Sequence, residues 1–210
     1  GIEDGTYSGW DDIRLGTLRA LRRRGLRPEA LQKILVDSGL TTSDASISLD
    51  KLASYNREFI AQGAKRTIFA QDIMKVEVAG MEAMEIEGDG KKIILPKGTH
   101  AFYADANEIR ESVGKEVRLR NAYNVALEGI AGFSALAKFL GKEMGKRKVV
   151  SWLACPMDAE LVNADGTKIA GAIEEMELKK GDYLQIDRKG FYIVDSAEGG
   201  KRPVCWFTHG

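Results

Sequence analysis

The sequence is poor in the residues that most often carry chemistry. Its 210 residues include two histidines, His100 and His209, and two cysteines, Cys155 and Cys205. At those spacings they do not make a zinc site, and no metal ligand set is expected. Two cysteines suit a reducing cytosol better than a disulfide scaffold. A nucleophilic pair, Cys155 with His100 or Cys205 with His209, stays open as a distant hydrolase alternative that no local motif supports. Both cysteines adjoin strand-like apolar residues, which reads them as small core residues. Long apolar runs are missing, so no membrane span is expected. Residues 1–12 hold Glu3, Asp4, Asp11 and Asp12 and no apolar core, so no secretory signal is expected. No phosphate-cradling loop is visible, and Gly88-Asp89-Gly90-Lys91-Lys92 reads as a hairpin turn. Asp11-Asp12 reads as helix-start chemistry rather than a catalytic carboxylate pair. With no catalytic residue to name, the pattern is that of a binding module.

A net excess of charge is also lacking: 31 basic residues balance 31 acidic ones. That removes a whole-chain signature for nucleic acid but not local patches. Arg19, Arg22, Arg23, Arg24 and Arg27 crowd one stretch. Lys138, Lys142, Lys146, Arg147 and Lys148 form another, opposed nearby only by Glu143. Each is either a solvated face or a phosphate-contacting patch.

What is present divides into two textures near Arg66. The first reads as helices. Leu15, Leu18 and Leu21 give an apolar stripe stopped by Gly25. Pro28 opens a second helix, with Leu31, Ile34 and Leu35 inward and Gly39 at its end. Ser48 or Asp50 starts a third through Leu52, Tyr55, Phe59 and Ile60. After Arg66 the period turns toward two. Strands are expected at 74–78, 92–95, 101–104, 116–120, 124–126, 149–153, 160–162, 183–186, 191–194 and 203–207. Turn signals part them, among them Pro96-Lys97-Gly98, Asp165-Gly166 and Gly199-Gly200. The expected class is α+β, mainly β: an N-terminal helical bundle over 1–66, then two interleaved β-barrels over 67–210. Trp10, Trp152, Trp206 and Tyr192 are expected in the core rather than as stacking platforms.

Three stretches carry a resemblance. They are Gly9-Trp10-Asp11-Asp12 with Arg14-Leu15 and Leu21-Arg22-Arg23-Arg24-Gly25; Gly114-Lys115-Glu116-Val117-Arg118-Leu119-Arg120-Asn121-Ala122-Tyr123; and Gly181-Asp182-Tyr183-Leu184-Gln185-Ile186-Asp187-Arg188-Lys189-Gly190-Phe191-Tyr192 followed by Asp195-Ser196. In order and over nearly the whole chain they resemble the class I glutamyl- and glutaminyl-tRNA synthetases, with Ile13 where the family has proline. Bacterial glutamate enzymes read the anticodon with helices, so the strand-rich half resembles the archaeal glutamate group, with the glutamine enzymes as the alternative.

The resemblance implies a helical connector and two barrels that grip the anticodon of tRNA(Glu), with tRNA(Gln) as a second partner, in the cytoplasm, and neither membrane nor DNA. It implies that the catalytic domain precedes Gly1, that these residues alone charge nothing, and that the full-length enzyme uses ATP with Mg2+. Arg66 and Gln185 match the positions that read the middle anticodon uracil. An arginine that only donates and an amide that donates and accepts suit its two carbonyls and one N–H. Arg118 and Arg120 fall near the wobble base. Arg19, Arg22, Arg23, Lys146, Arg147 and Lys148 are candidate backbone contacts. Only Glu111-Ser112-Val113 separates Arg110 from Gly114, shorter than in the glutamine enzymes, which implies weak third-base discrimination. Outside this family, a stand-alone barrel that binds protein fits the same texture.

Overall fold

The computed structural model describes residues 1–39, 47–88, 91–95, 97–197 and 201–210. The expected turn residues Asp89, Gly90, Pro96, Gly199 and Gly200 lie outside them.

The helices are α1 (Leu18–Arg23), α2 (Pro28–Ser38), α3 (Leu49–Ile60) and α4 (Ala106–Arg110). Thr17 caps α1, its hydroxyl accepting from the Ala20 amide at 3.1 Å. That cap starts the helix after Leu15 and turns its faces: Ala20 and Leu21 are buried and Leu18 is 72 % exposed. The expected Leu15–Leu18–Leu21 stripe is therefore corrected. Pro28 does open α2, which buries Ala30 and Ile34 and ends at Gly39, while Leu35 faces solvent. Ser48 caps α3 through the Lys51 amide. Leu21, Leu26, Ile34 and Leu52 share one small core, with Leu31 and Tyr55 against it. Buried Asn56 ties α3 to the turn before α2: its Oδ1 accepts from the Arg27 amide and its Nδ2 donates to the Gly25 carbonyl. Gly25 ends α1 and also admits a neighbour, since a Cβ there would stand 2.9 Å from Tyr183.

The strands follow as β1 (Lys65–Thr67), β2 (Ile73–Met81), β3 (Met84–Gly88), β4 (Lys91–Leu95), β5 (Gly98–Asp105), β6 (Glu116–Leu119), β7 (Asn124–Ala131) and β8 (Ser134–Gly141). They continue as β9 (Lys148–Val150), β10 (Pro156–Val162), β11 (Lys168–Glu174), β12 (Tyr183–Ile186), β13 (Gly190–Ser196) and β14 (Val204–His209). Each expected strand coincides with one of these or overlaps it. β1, β3, β8, β11 and the short α4 were not legible. The protein is mostly β, with two curled half-barrel sheets. One runs β1-β12-β13-β14-β10-β11, the other β5-β2-β8-β7-β6-β9.

Contacts divide the chain into two compact units. The first comprises Gly1–Thr67, Ala159–Ala170 and Glu177–Gly210; the second comprises Ile68–Asp158 and Gly171–Met176. In the second, Val76, Phe102, Val117, Leu119, Tyr123 and Val125 anchor a continuous core. Burial pushes the Tyr123 hydroxyl up to about 12. The aromatic expectation holds for Tyr192, which is buried edge-on against Phe207. Trp152 packs edge-on to Phe102. Trp10 corrects it: the ring is 62 % exposed. Cys205 is buried as expected, whereas Cys155 is exposed.

Candidate nucleic-acid interface

The parallel pairing of β1 with β12 sets Lys65 opposite Leu184, Arg66 opposite Gln185 and Thr67 opposite Ile186. Two features fix that register. Leu184 and Ile186 are buried, so Gln185 between them belongs to the other face of the strand. Lys65 and Thr67 clamp the short β1: the ammonium donates to Asp182 at 2.7 Å and to the Glu177 carbonyl, and the Asp187 amide donates to the Thr67 carbonyl. Arg66 is left exposed between these anchors and Gln185 half-buried. No hydrogen bond or ion pair occupies either side chain among the described residues. An arginine fork and an amide with unspent donors and acceptor thus stand on neighbouring strands.

Arg118 and Arg120 belong to the second unit. Arg118 is half-buried on β6, between buried Val117 and Leu119. Its guanidinium donates to Asn124 Oδ1 at 3.1 Å and to the Lys142 carbonyl at 3.2 Å. Arg120 sits just past β6; its amide donates to Val150 and its carbonyl accepts from the Trp152 indole. The next residue, Asn121, has φ 55°, a left-handed turn that asparagine tolerates. Both arginines are engaged by groups beyond the motif that carries them, on Asn124, Lys142, Val150 and Trp152.

The basic stretches prove heterogeneous. Arg23 is committed: it pairs with Asp11 at 2.8 Å and lies 3.6 Å over the Trp206 ring. Arg19, Arg22 and Arg23 line an open cleft of about 690 Å³ in the first unit with Asp11, Lys180 and Asp195. Lys180 and Asp195, the latter quoted with the third motif, lie far along the chain from α1, so the sequence does not show that the fold brings them to these arginines. In the second unit Arg147 pairs with Glu116 at 2.9 Å and Lys148 with Glu111 at 3.5 Å, while Lys146 is exposed and unpaired among the described residues. The reading that only Glu143 opposes this cluster is thus corrected, since sequence distance hid two carboxylates that the fold brings in.

Asp11 and Asp12 are likewise not helix-start groups, because α1 begins after Thr17. Buried Asp12 instead closes a turn, accepting from Ser8 and from both the amide and guanidinium of Arg14. Arg14 beside it holds the carboxyl well below the usual range. Cys205 and His209 lie four residues apart on β14, about 13 Å along an extended strand, too far for a nucleophile and base. Burial pushes the Cys205 thiol up to about 12, the wrong direction for a thiolate. Among the described residues no group of three or more His, Cys, Asp or Glu is arranged for a metal ion, and no helix is long and apolar enough to cross a membrane.

No protein-family model matches the chain. Curated relatives do. The glutamate–tRNA ligase of Methanothermobacter thermautotrophicus is 33 % identical over 223 residues, covering 100 % of this chain and 39 % of the relative. Those of Methanococcus maripaludis strain C6 and Pyrococcus abyssi are each 32 % identical, over 226 and 227 residues, again across the whole chain and covering 40 % and 39 % of their own lengths. The similarity runs through all three sequence motifs and through both structural units. The chain therefore belongs to the archaeal-type glutamate–tRNA ligase family, and it spans about two fifths of the length of the curated relatives it matches.

Proposed function

We propose that this chain is the anticodon-reading region of a glutamate–tRNA ligase, with tRNA(Glu) as its partner and tRNA(Gln) as a second one. In this reading residues 1–66 connect and residues 67–210 hold the RNA. The observation that carries it is the register of β1 on β12, which stands Arg66 beside Gln185 with both side chains unspent. Sequence-specific RNA recognition targets unpaired bases splayed from loops, read along their Watson–Crick edges. Uracil offers two carbonyl acceptors and one N–H; Arg66 supplies donors, and Gln185 supplies a donor and an acceptor. Arg118 and Arg120 serve a neighbouring base and its backbone. Arg118 keeps donors beyond the two it spends on Asn124 and Lys142. Ligation in the whole enzyme would draw on ATP with Mg2+. No donor set among the described residues fits that metal, and no step of that chemistry is assigned to this chain. A glutamine–tRNA ligase region is the second family reading; the glutamate names of the relatives favour the first.

The test compares two tRNAs that differ at the middle anticodon base, uracil or cytosine, on the unmodified chain and on Arg66→Ala and Gln185→Ala. Losing either partner strands a polar group of the base and costs about 1–3 kcal/mol. Each variant therefore binds the uracil tRNA roughly ten- to a hundredfold more weakly. Cytosine carries an amino donor where uracil has an acceptor and lacks the ring N–H, so its tRNA binds poorly from the start. The variants lose discrimination as well as affinity. Equal weakening toward both tRNAs would reduce Arg66 and Gln185 to generic phosphate contacts.

A further inference from the structure

Strand β1 carries a lysine where its pattern calls for an apolar residue. Burial along it runs half-buried, exposed, buried over Lys65, Arg66 and Thr67. Lys65 therefore shares a row with buried Thr67, while Arg66 faces the other way beside Gln185. Across the ladder Lys65 stands opposite Leu184, which is fully buried. Its ammonium leaves that row for a receptor just before β12, donating to the Asp182 carboxylate at 2.7 Å and to the Glu177 carbonyl at 2.5 Å. The receptor is closed on itself. The Asp182 carboxylate accepts from the Lys179 amide at 3.0 Å, and the Asp182 amide donates to the Lys179 carbonyl at 3.0 Å. The Asp182 carbonyl accepts from the Val194 amide of β13 at 2.9 Å. Asp182 is thus fixed by its own loop and by β13, whether or not Lys65 is bound to it.

The facing of the residues does not fix the register of so short a strand. A slip of one residue would turn Arg66 inward toward Leu184 and Ile186, and the cost of burying its charge forbids that. A slip of two keeps every residue on its own face and carries Arg66 about 7 Å away from Gln185. The backbone, alike at every residue, does not tell these registers apart. The ammonium does. Its acceptor lies two residues before the β12 residue opposite it. After a slip of two, that place falls to Leu184 in one direction and to Lys180 in the other. Only the observed register offers a carboxylate. Burial works to raise the pKa of Asp182, but the Lys65 ammonium and the Lys179 amide outweigh it and hold the carboxyl below its ordinary value.

We propose that Lys65 and Asp182 are positioning residues for base specificity: their ion pair locks β1 on β12 in the register that sets Arg66 beside Gln185. The inference rests on the reading of Arg66 and Gln185 as the base-reading pair. Lys65 acts from the row opposite to Arg66, through the backbone and not on the base. The two side chains are 41 % and 28 % exposed, so the pair adds little to the stability of the fold. What it contributes is the choice of register, a use to which a single ion pair is suited.

The test takes the two tRNAs with uracil or cytosine at the middle anticodon position and adds Lys65→Met, Asp182→Asn and the double variant to Arg66→Ala. Methionine keeps the length of the side chain, and asparagine keeps an acceptor for the Lys179 amide. Urea midpoints of the three variants stay close to that of the unmodified chain; a large drop would make the pair an element of stability and overturn the proposal. Each single variant cuts the preference for the uracil tRNA roughly tenfold, the scale of one misplaced hydrogen bond. The double variant loses no more than either single one, because the two residues act as a unit. Plain surface charges behave otherwise. Losing Lys65 would then weaken both tRNAs alike, losing Asp182 would strengthen both alike, and the preference would stay. That result, with Arg66→Ala still abolishing the preference, overturns the lock and leaves base reading standing. An unmodified chain without preference, or a preference that Arg66→Ala leaves intact, removes base reading and the lock together.

Discussion

Asp12 shows what a single residue does here. Its two oxygens take five hydrogen bonds, from Ser8 and Arg14, in a turn that precedes α1. The Arg14 side chain is the main reason that its folded pKa lies below the unfolded value of about 3.9. A carboxyl depressed in this way stabilises the fold fully above its unfolded pKa. That contribution fades as pH falls from roughly 4 toward the lower folded value. Asp12→Asn should therefore cost about 1.5–3 kcal/mol at neutral pH, the scale of hydrogen bonds to a charged group. The deficit should shrink as pH falls below about 4. Urea denaturation of both proteins across that range measures it; a deficit that stays constant with pH would place the effect in packing rather than in the ionised carboxylate. The sequence displays Gly9-Trp10-Asp11-Asp12 as a motif but not this role, because the role depends on the turn that brings Ser8 and Arg14 to the same carboxylate.

At the scale of elements, the resemblance motifs turn out to be largely scaffolding. In the third motif Leu184, Ile186, Phe191 and Tyr192 are buried, and Tyr183 donates to the Gly25 carbonyl at 2.8 Å. Gly190 has φ 105°, and a Cβ there would stand 2.5 Å from the His209 carbonyl oxygen, so no side chain fits. Gln185 is thus a polar position carried by a rigid frame. α1 divides its arginines in the same way. Arg23 bridges Asp11 and the Trp206 ring, whereas Arg22 is exposed. Removing the ring contact of Arg23→Ala should cost about 0.5–2 kcal/mol, and Arg22→Ala should stay within about 0.5 kcal/mol. Chemical denaturation midpoints of the two variants decide it. Equal midpoints would mean that the stacking on Trp206 contributes nothing. Strand legibility follows the same physics. β2 and β13 advertise themselves with alternating or β-branched residues. β8, Ser-Ala-Leu-Ala-Lys-Phe-Leu-Gly, has the composition of a helix and becomes a strand through pairing with β2 and β7.

For the molecule as a whole the expectation concerns RNA. The 210-residue chain should bind tRNA with an affinity that falls as salt rises, since a neutral protein with local cations still releases counterions from phosphates. Lys146 is the unpaired cation of its loop, so Lys146→Glu should lower affinity at low salt and flatten the salt dependence by about one counterion. Arg147→Ala releases Glu116 and should act on stability as well as on binding. Filter binding over a salt series measures the slopes. An affinity indifferent to salt would remove the electrostatic contact and with it the assignment of this loop to RNA.

The sequence by itself determined what is local. The Ser48 cap, the stops at Gly25 and Gly39, the period-two texture after Arg66 and the three ordered motifs all depend on residues within a few positions of one another. The tertiary structure decided what is paired. It set Arg66 beside Gln185, supplied Glu111 and Glu116 to cations that look free in the sequence, and laid Arg23 on Trp206. Charge pairing and burial depend on distances across the chain, and a cation's availability is fixed by which carboxylate the fold delivers to it rather than by its neighbours in sequence.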